Sequence, residues 1–197
     1  MMKIELPNSF EDLTIKDMVT LHTSPSDEVC LMNLCGVHRK DLLKLPKRLL
    51  DEAYDHLKTL RSQEAGQHLT RLTLDGKPYG FINDWDSFSF GEYIDMTTYA
   101  QDVYTNATKM MALLYRPIVL DQGDTYTIEP YTAKENHHIF EAAPATLFGG
   151  AMLFFCNSKR RLLSNLRVSL SQTITQASLG LSGDGIPLST PSPMKTS

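Results

Sequence analysis

The chain has 197 residues, of which 42 % are hydrophobic, and its formal net charge is −4 at pH 7. The length suits one domain with appendages, and the apolar content excludes a wholly disordered chain. The negative balance argues against nucleic acid as the main partner, because a phosphate-binding surface needs a dense cationic face.

Cysteine usage and hydropathy favour a protein of a reducing cytoplasm that does not enter a membrane. Cys30, Cys35 and Cys156 are odd in number and scattered, which is not the pattern of a disulfide framework or a zinc site. The N-terminus lacks the apolar run of a signal peptide. The most apolar stretch, residues 147–156, has ten residues, whereas a membrane-spanning helix needs ~20.

Two short helices are predicted at the start of the chain. Thr14 and Asp17 have the spacing of a capping box, in which each side chain satisfies a backbone N–H of the first turn. Ser24 is a suitable N-cap for the second helix, and Pro25 is preorganised for its first position. Gly36 is expected to end that helix, since glycine adopts the left-handed conformation of a C-cap without strain.

An amphipathic helix and a β-hairpin are predicted next. The helix follows Leu45-Pro46, and its apolar residues recur at helical spacing: Leu49, Leu50, Ala53, Tyr54, Leu57 and Leu60. Threonine and aromatic residues around Asp75-Gly76 then indicate a small hairpin near residues 69–82.

The middle of the chain predicts a longer, interrupted helix. Ser89 and Glu92 form a second capping-box pattern, and the helix is expected to end at Arg116 because Pro117 follows. Arg116 is predicted to be structural, with its guanidinium bridging helix-end carbonyls and a carboxylate. The candidate carboxylates are Glu92, Asp95 and Glu129.

The predicted fold is mainly α: one compact helical domain over residues 1–170, with a small hairpin near 69–82. A last helix should open at Pro144 and run to about residue 166. Serine, threonine, proline and glycine dominate residues 171–197, which predicts a flexible tail. Residues 175–197 are therefore expected to be dispensable for folding.

No motif predicts catalysis, a metal site or a cofactor. His137 and His138 are adjacent, so on a helix they point about 100° apart and chelate one ion poorly. The acidic residues around Trp85 suit turns and helix starts better than acid–base chemistry, and Trp85 is predicted to be structural. The glycines of 180–185 lack the strand, helix and lysine of a phosphate loop.

An excess of large apolar side chains predicts a partner surface on the last helix. Phe148, Met152, Phe154 and Phe155 exceed what one helix face buries, and Gly149-Gly150 would permit close approach of a partner helix. The alternative is that all four side chains belong to the core of a helix buried on every side.

Several strings of residues resemble a group of small phage-encoded proteins of virion assembly, described as tail-assembly chaperone-like. The most specific strings are Gly-Glu-Tyr-Ile-Asp at 91–95 and Leu-Tyr-Arg-Pro-Ile at 114–118. Others are Tyr-Gly-Phe-Ile at 79–82 and Ile-Glu-Pro-Tyr at 128–131, and the resemblance spans roughly residues 3–166.

The resemblance implies a non-enzymatic protein that coats the apolar, helical tape-measure protein and recruits tail-tube subunits. Its partners would be other phage assembly or virion proteins, and self-association is left open. Such a protein would act in the host cytoplasm during assembly. The alternative is a stable virion component, either a head–tail connector or a capsid-associated protein, which purified virions would contain at fixed stoichiometry.

Overall fold

The computed structural model describes residues 5–63, 66–82, 88–132 and 136–156. The chain divides into two units, Met1–Phe154 and Phe155–Ser197, and nearly all described residues belong to the first. The predicted tail, residues 171–197, and Trp85 lie outside the described residues.

Four helices form the N-terminal part: α1 (Ile15–Thr23), α2 (Asp27–Cys35), α3 (Arg39–Leu42) and α4 (Lys47–Ser62). The predicted capping box starts α1, because the Thr14 side chain accepts from the Asp17 N–H and the Asp17 carboxylate accepts from the Thr14 N–H. Helix α2 starts two residues later than expected, with Ser26 instead of Ser24 as its N-cap. Gly36 ends α2 at a φ of 63°, the left-handed conformation expected of a C-cap.

Helix α4 follows Pro46 and is amphipathic, as predicted. It buries Ala53, Leu57 and Leu60, while its charged residues other than Arg61 remain in solvent. The buried stripe contacts α1 and α2. Arg61, in its last turn, crosses back to donate to the Leu21 carbonyl and the Asp27 carboxylate.

A four-stranded antiparallel sheet follows, in the order β1 (Arg71–Leu74), β2 (Lys77–Phe81), β3 (Tyr115–Asp121) and β4 (Tyr126–Ile128). The first two strands form the hairpin predicted from Asp75-Gly76, and both turn residues have positive φ. Positive φ at both central residues matches the right-handed twist of the flanking strands. Pairing of Tyr79 with Pro117 joins the predicted hairpin to a second one, β3–β4.

The predicted mainly α fold is wrong, because the protein is mixed α/β. The predicted long helix is two helices, α5 (Phe90–Tyr99) and α6 (Ala107–Leu114), and the chain enters β3 directly at Tyr115. Arg116 therefore lies in a strand and not at a helix end. Pro117 restricts Arg116 to extended conformations, and the aromatic and β-branched residues of this segment favour a strand.

The core lies around α6, all of whose apolar residues are buried, together with Phe81 and Tyr115 of the sheet. A last helix, α7, covers residues 145–156 of the described chain. A Cβ atom on Gly150 would overlap the backbone of Gln67, so α7 crosses the 66–68 segment at close range. Among the described residues, none of the helices combines the length and the hydropathy that a membrane span requires.

Candidate functional site

A buried ion pair joins α5 to the sheet. Nη2 of Arg116, in β3, lies 2.9 Å from Oε1 of Glu92, in α5, and their side chains are 9 % and 4 % exposed. The second oxygen of Glu92 accepts from the Ser89 N–H at 2.7 Å, which completes the predicted capping box of α5. One carboxylate thus starts the helix and neutralises a buried guanidinium. Loss of either partner would leave the other charge buried and uncompensated.

The Arg116 guanidinium is not fully satisfied by this arrangement. Its Nε is buried and has no hydrogen-bond acceptor among the residues that the structure describes. A buried donor without an acceptor costs about 1–3 kcal/mol. Among described residues, Arg61 offers a contrast, since its Nε donates to the Leu21 carbonyl at 2.9 Å while Nη1 pairs with Asp27.

An open cavity of about 560 Å³ lies beside the ion pair. It is lined by Ile82, by Ser89 and Glu92 of α5, by Arg116, and by residues 126–131. This volume is within the range of about 300–1,000 Å³ that small-molecule sites occupy. The cavity walls combine apolar and aromatic groups with the carboxylates of Glu92 and Glu129 and the guanidinium of Arg116.

Hydrogen bonds fix the two tyrosines of the cavity wall. The Tyr126 hydroxyl donates toward the carbonyls of Phe81 and Thr70, at 2.8 and 2.9 Å. Burial raises the pKa of Tyr126, so its phenol stays protonated at neutral pH. The Tyr131 hydroxyl donates to the Asp95 carboxylate and thereby holds residues 129–131 against α5. The cavity is consequently bordered by groups of defined orientation.

The outer face of α5 carries three exposed apolar side chains. Phe90 is 77 % exposed, Tyr93 59 % and Ile94 45 %. They are spaced i, i+3 and i+4, so they lie on one side of the helix, next to each other. We call these three residues the α5 face. Exposed large apolar groups grouped in this way are typical of protein-interaction surfaces.

The predicted partner residues of the last helix are divided between core and surface. Phe148 is 4 % exposed and lies in the core, as the alternative to a partner role expects, and its contact with a partner stays a prediction. Phe154 is 37 % exposed, but its ring also stacks on His68 at 4.2 Å and meets the edge of Phe81. Met152 and Phe155 are half-buried.

Gly149-Gly150 does permit a close backbone approach, although the approaching segment belongs to the same chain. The backbone of Gln67 and His68 lies where a Cβ atom of Gly150 would be. Gly150 is thus already in close contact with a segment of the same unit, and the approach of a partner helix stays a prediction.

The α5 face was missed by sequence reasoning, although its spacing was visible. Positions 90, 93 and 94 form one apolar stripe of α5, and a stripe of this kind normally faces the core. The structure instead buries the opposite side, with Glu92 and Met96. The one signal in the sequence for the orientation of α5 was Arg116. A guanidinium within an apolar segment requires a carboxylate partner, and Glu92 was among the three carboxylates expected.

The chemistry available in the described residues is limited. Burial raises the pKa of the Cys30 and Cys35 thiols, which disfavours the nucleophilic thiolate. No group of three or more metal-ligating side chains occurs in the ranges that the structure describes. His137 forms a hydrogen bond with Thr108 and His138 with Glu141, so each of the two adjacent histidines has its own local partner.

Comparisons with protein-family models, with curated proteins and with solved structures found no match for this chain.

Proposed function

We propose that this chain is a non-enzymatic phage assembly protein that binds apolar helices of a tape-measure protein, as a tail-assembly chaperone does. The observation that carries the proposal is the α5 face, where a helix directs Phe90, Tyr93 and Ile94 into solvent. The phage context comes from the sequence resemblance of residues 3–166.

The α5 face suits an apolar helical partner because it presents no charge. Glu92 points inward to Arg116, and Asp95 is held by the Tyr131 hydroxyl. The exposed positions that continue the helix are Thr97 and Thr98, whose hydroxyls bond back to the α5 backbone. An apolar helix docking here would therefore meet aromatic and aliphatic groups without having to desolvate an unpaired charge.

The end of α7 supplies a second exposed apolar group within the same unit. Leu153 is 59 % exposed and Phe154 37 %. Two separate apolar surfaces suit a client that presents many similar helical segments, because several weak contacts give a large combined affinity. This part of the proposal retains Phe154 from the predicted partner surface and replaces Phe148 with Leu153.

Co-expression with the tape-measure protein of the same genome tests the proposal. Wild-type chain should keep the tape-measure protein soluble, and the double variant Phe90→Lys/Ile94→Lys should lose most of this effect. Leu43→Lys is the matched control, because Leu43 is 75 % exposed and lies outside the α5 face.

All variants should melt close to the wild-type temperature, since the substituted side chains are exposed. Equal solubility of the tape-measure protein with and without this chain would reject the chaperone proposal. Equal rescue by wild type and the Phe90→Lys/Ile94→Lys variant would reject the α5 face as its binding surface.

A further inference from the structure

We infer that β1 is a self-pairing edge strand, which joins β1 of a second copy of this chain in antiparallel register about a two-fold axis at Leu72. The contact is made by the backbone of Arg71 and Thr73 on each copy. It lies in a different element from the α5 face, so the inference goes beyond the proposed function and does not depend on a tape-measure protein.

Alternate backbone groups of β1 point away from the sheet. The Phe81 N–H donates to the Thr70 carbonyl at 2.9 Å, so these two residues form a hydrogen-bonded pair. Such pairs alternate with non-hydrogen-bonded pairs along an antiparallel ladder, so Arg71 and Thr73 direct their N–H and C=O groups away from β2. Pro78, opposite Thr73, agrees with this pattern, because a hydrogen-bonded pair there would need a proline N–H. Among the described residues, no strand lies on this side of β1.

Strand β1 lacks most of the features that keep edge strands apart, which are prolines, bulges and outward charges. It contains no proline and no bulge, and its one charged side chain, Arg71, turns over the sheet. The Arg71 guanidinium donates to the Asp121 carboxylate at 2.8 and 2.9 Å and lies 4.8 Å from the centre of the Tyr126 ring. The outward backbone groups are therefore not screened by this side chain.

The sequence of β1 is complementary to itself. When Arg71 of one copy lies opposite Thr73 of the other, every outward N–H of these residues meets an outward C=O. Leu72 then lies opposite its equivalent as a non-hydrogen-bonded pair, in which side chains approach most closely. Leu72 is half-buried, so this contact removes further apolar surface from water. Like charges do not oppose each other in this register, because Arg71 meets a threonine, and a second copy therefore fits the edge.

The length of β1 determines the strength and the consequence of the pairing. The strand has 4 residues, and each backbone hydrogen bond contributes modestly, so the dimer is weak and depends on protein concentration. Two joined copies present two α5 faces. A client with repeated helical segments is then bound more tightly by the dimer than by one copy.

Analytical ultracentrifugation of the full-length chain tests the inference. The wild type should form a reversible dimer in the micromolar to millimolar range. Thr73→Pro removes one outward N–H from each copy and no hydrogen bond to β2, so it should weaken dimerisation about tenfold. Thr73→Ala, which retains the N–H, is the matched control and should dimerise as the wild type does. A monomeric wild type, or equal dissociation constants for the two variants, would overturn the inference.

Oxidative cross-linking tests the register and does not depend on the folding of the proline variant. Cys156→Ser removes the exposed thiol and provides the parent chain. Leu72→Cys in this parent places two thiols at opposed positions, with Cα atoms about 4.5 Å apart and within disulfide reach. Thr73→Cys is the control, because its two equivalents are offset along the strands. Leu72→Cys should give a covalent dimer, whereas no dimer, or as much from Thr73→Cys, would contradict the pairing.

Amide hydrogen exchange distinguishes a second copy from other occupants of the edge. Exchange of the Thr73 N–H should slow as the concentration of the purified chain rises, because the dimer protects it. The Leu72 N–H faces β2 and should be protected at every concentration. Protection of Thr73 that requires the tape-measure protein and is independent of the chain's own concentration would assign the edge to a foreign strand and overturn the self-pairing.

Discussion

Helices α4 and α5 both carry an apolar stripe, but they orient it in opposite directions relative to the core. Helix α4 buries Leu57 and Leu60 and exposes its charges, whereas α5 buries Glu92 and exposes Phe90 and Tyr93. The difference follows from the buried ion pair of α5. Both helices pack on other helices, α4 on α1 and α2 and α5 on α6, but Glu92 of α5 also neutralises the buried Arg116 guanidinium of β3.

The contrast shows that an apolar stripe in the sequence identifies the face of a helix that packs against another surface, but does not identify that surface. In α4 the surface is the rest of the domain. In α5 the apolar face remains in solvent within the described chain, and burial of Glu92 fixes the helix in that orientation. Exposed apolar side chains grouped on one face are typical of interaction sites, which is the basis of the proposed binding function.

The largest predicted effect comes from removing the charge that orients α5. Glu92→Gln should destabilise the protein by ~3–5 kcal/mol, because it leaves the Arg116 guanidinium buried without a counter-charge. Urea denaturation followed by circular dichroism measures this change.

The matched control is Glu52→Gln in α4. Glu52 also pairs with an arginine, Arg48 at 2.6 Å, but its side chain is 57 % exposed. The expected cost is about 0.5 kcal/mol or less, since exposed helical ion pairs contribute little. Similar costs for the two substitutions would show that Glu92 does not hold α5 in place.

An intermediate effect is predicted for the aliphatic residues of the two helices. Leu57→Ala in α4 should cost about 3 kcal/mol, because Leu57 is 0 % exposed and the substitution leaves a cavity. Ile94→Ala in α5 should cost less than about 1 kcal/mol, because Ile94 is 45 % exposed. Thermal melting of the two variants compares them directly, and a larger loss for Ile94→Ala would mean that the α5 face packs within the protein.

The smallest effect is a pH dependence at His68, which lies outside both helices and packs against Phe81 and Phe154. Desolvation by burial lowers the pKa of His68 below its ordinary value of 6.5. The unfolded chain therefore binds the proton more readily, and stability should decrease as pH falls through 6.5.

Melting temperatures of the wild type at pH 7.5 and 5.5 measure this change, and His68→Gln should reduce the difference without abolishing it. Burial also lowers the pKa of His137, which would contribute a residual dependence of the same sign. A variant with an undiminished pH dependence would exclude His68 as a contributor.

Features set by a few neighbouring residues could be predicted from the sequence. The capping boxes of Thr14 and Ser89, the left-handed Gly36 and the Asp75-Gly76 turn depend on local chemistry, and each is present. The start of α2 was misplaced because Ser24 and Ser26 are equally good N-caps, and the local sequence does not choose between them.

The sheet could not be predicted in the same way, because it depends on pairs far apart in the chain. Pairing of Tyr79 with Pro117 places two hairpins side by side, and neither hairpin alone indicates the other. The orientation of α5 has a similar origin, since burial of Glu92 depends on where β3 brings Arg116. A carboxylate partner for Arg116 was expected, but the resulting exposure of Phe90, Tyr93 and Ile94 was not.

Photo-crosslinking tests most directly whether the α5 face binds the tape-measure protein. A photoreactive amino acid at position 94 should yield an adduct that mass spectrometry identifies as the co-expressed tape-measure protein. The same amino acid at position 51, on the exposed side of α4, should yield little of it. Equal adduct from both positions, or none from position 94 while the tape-measure protein remains soluble, would contradict the account.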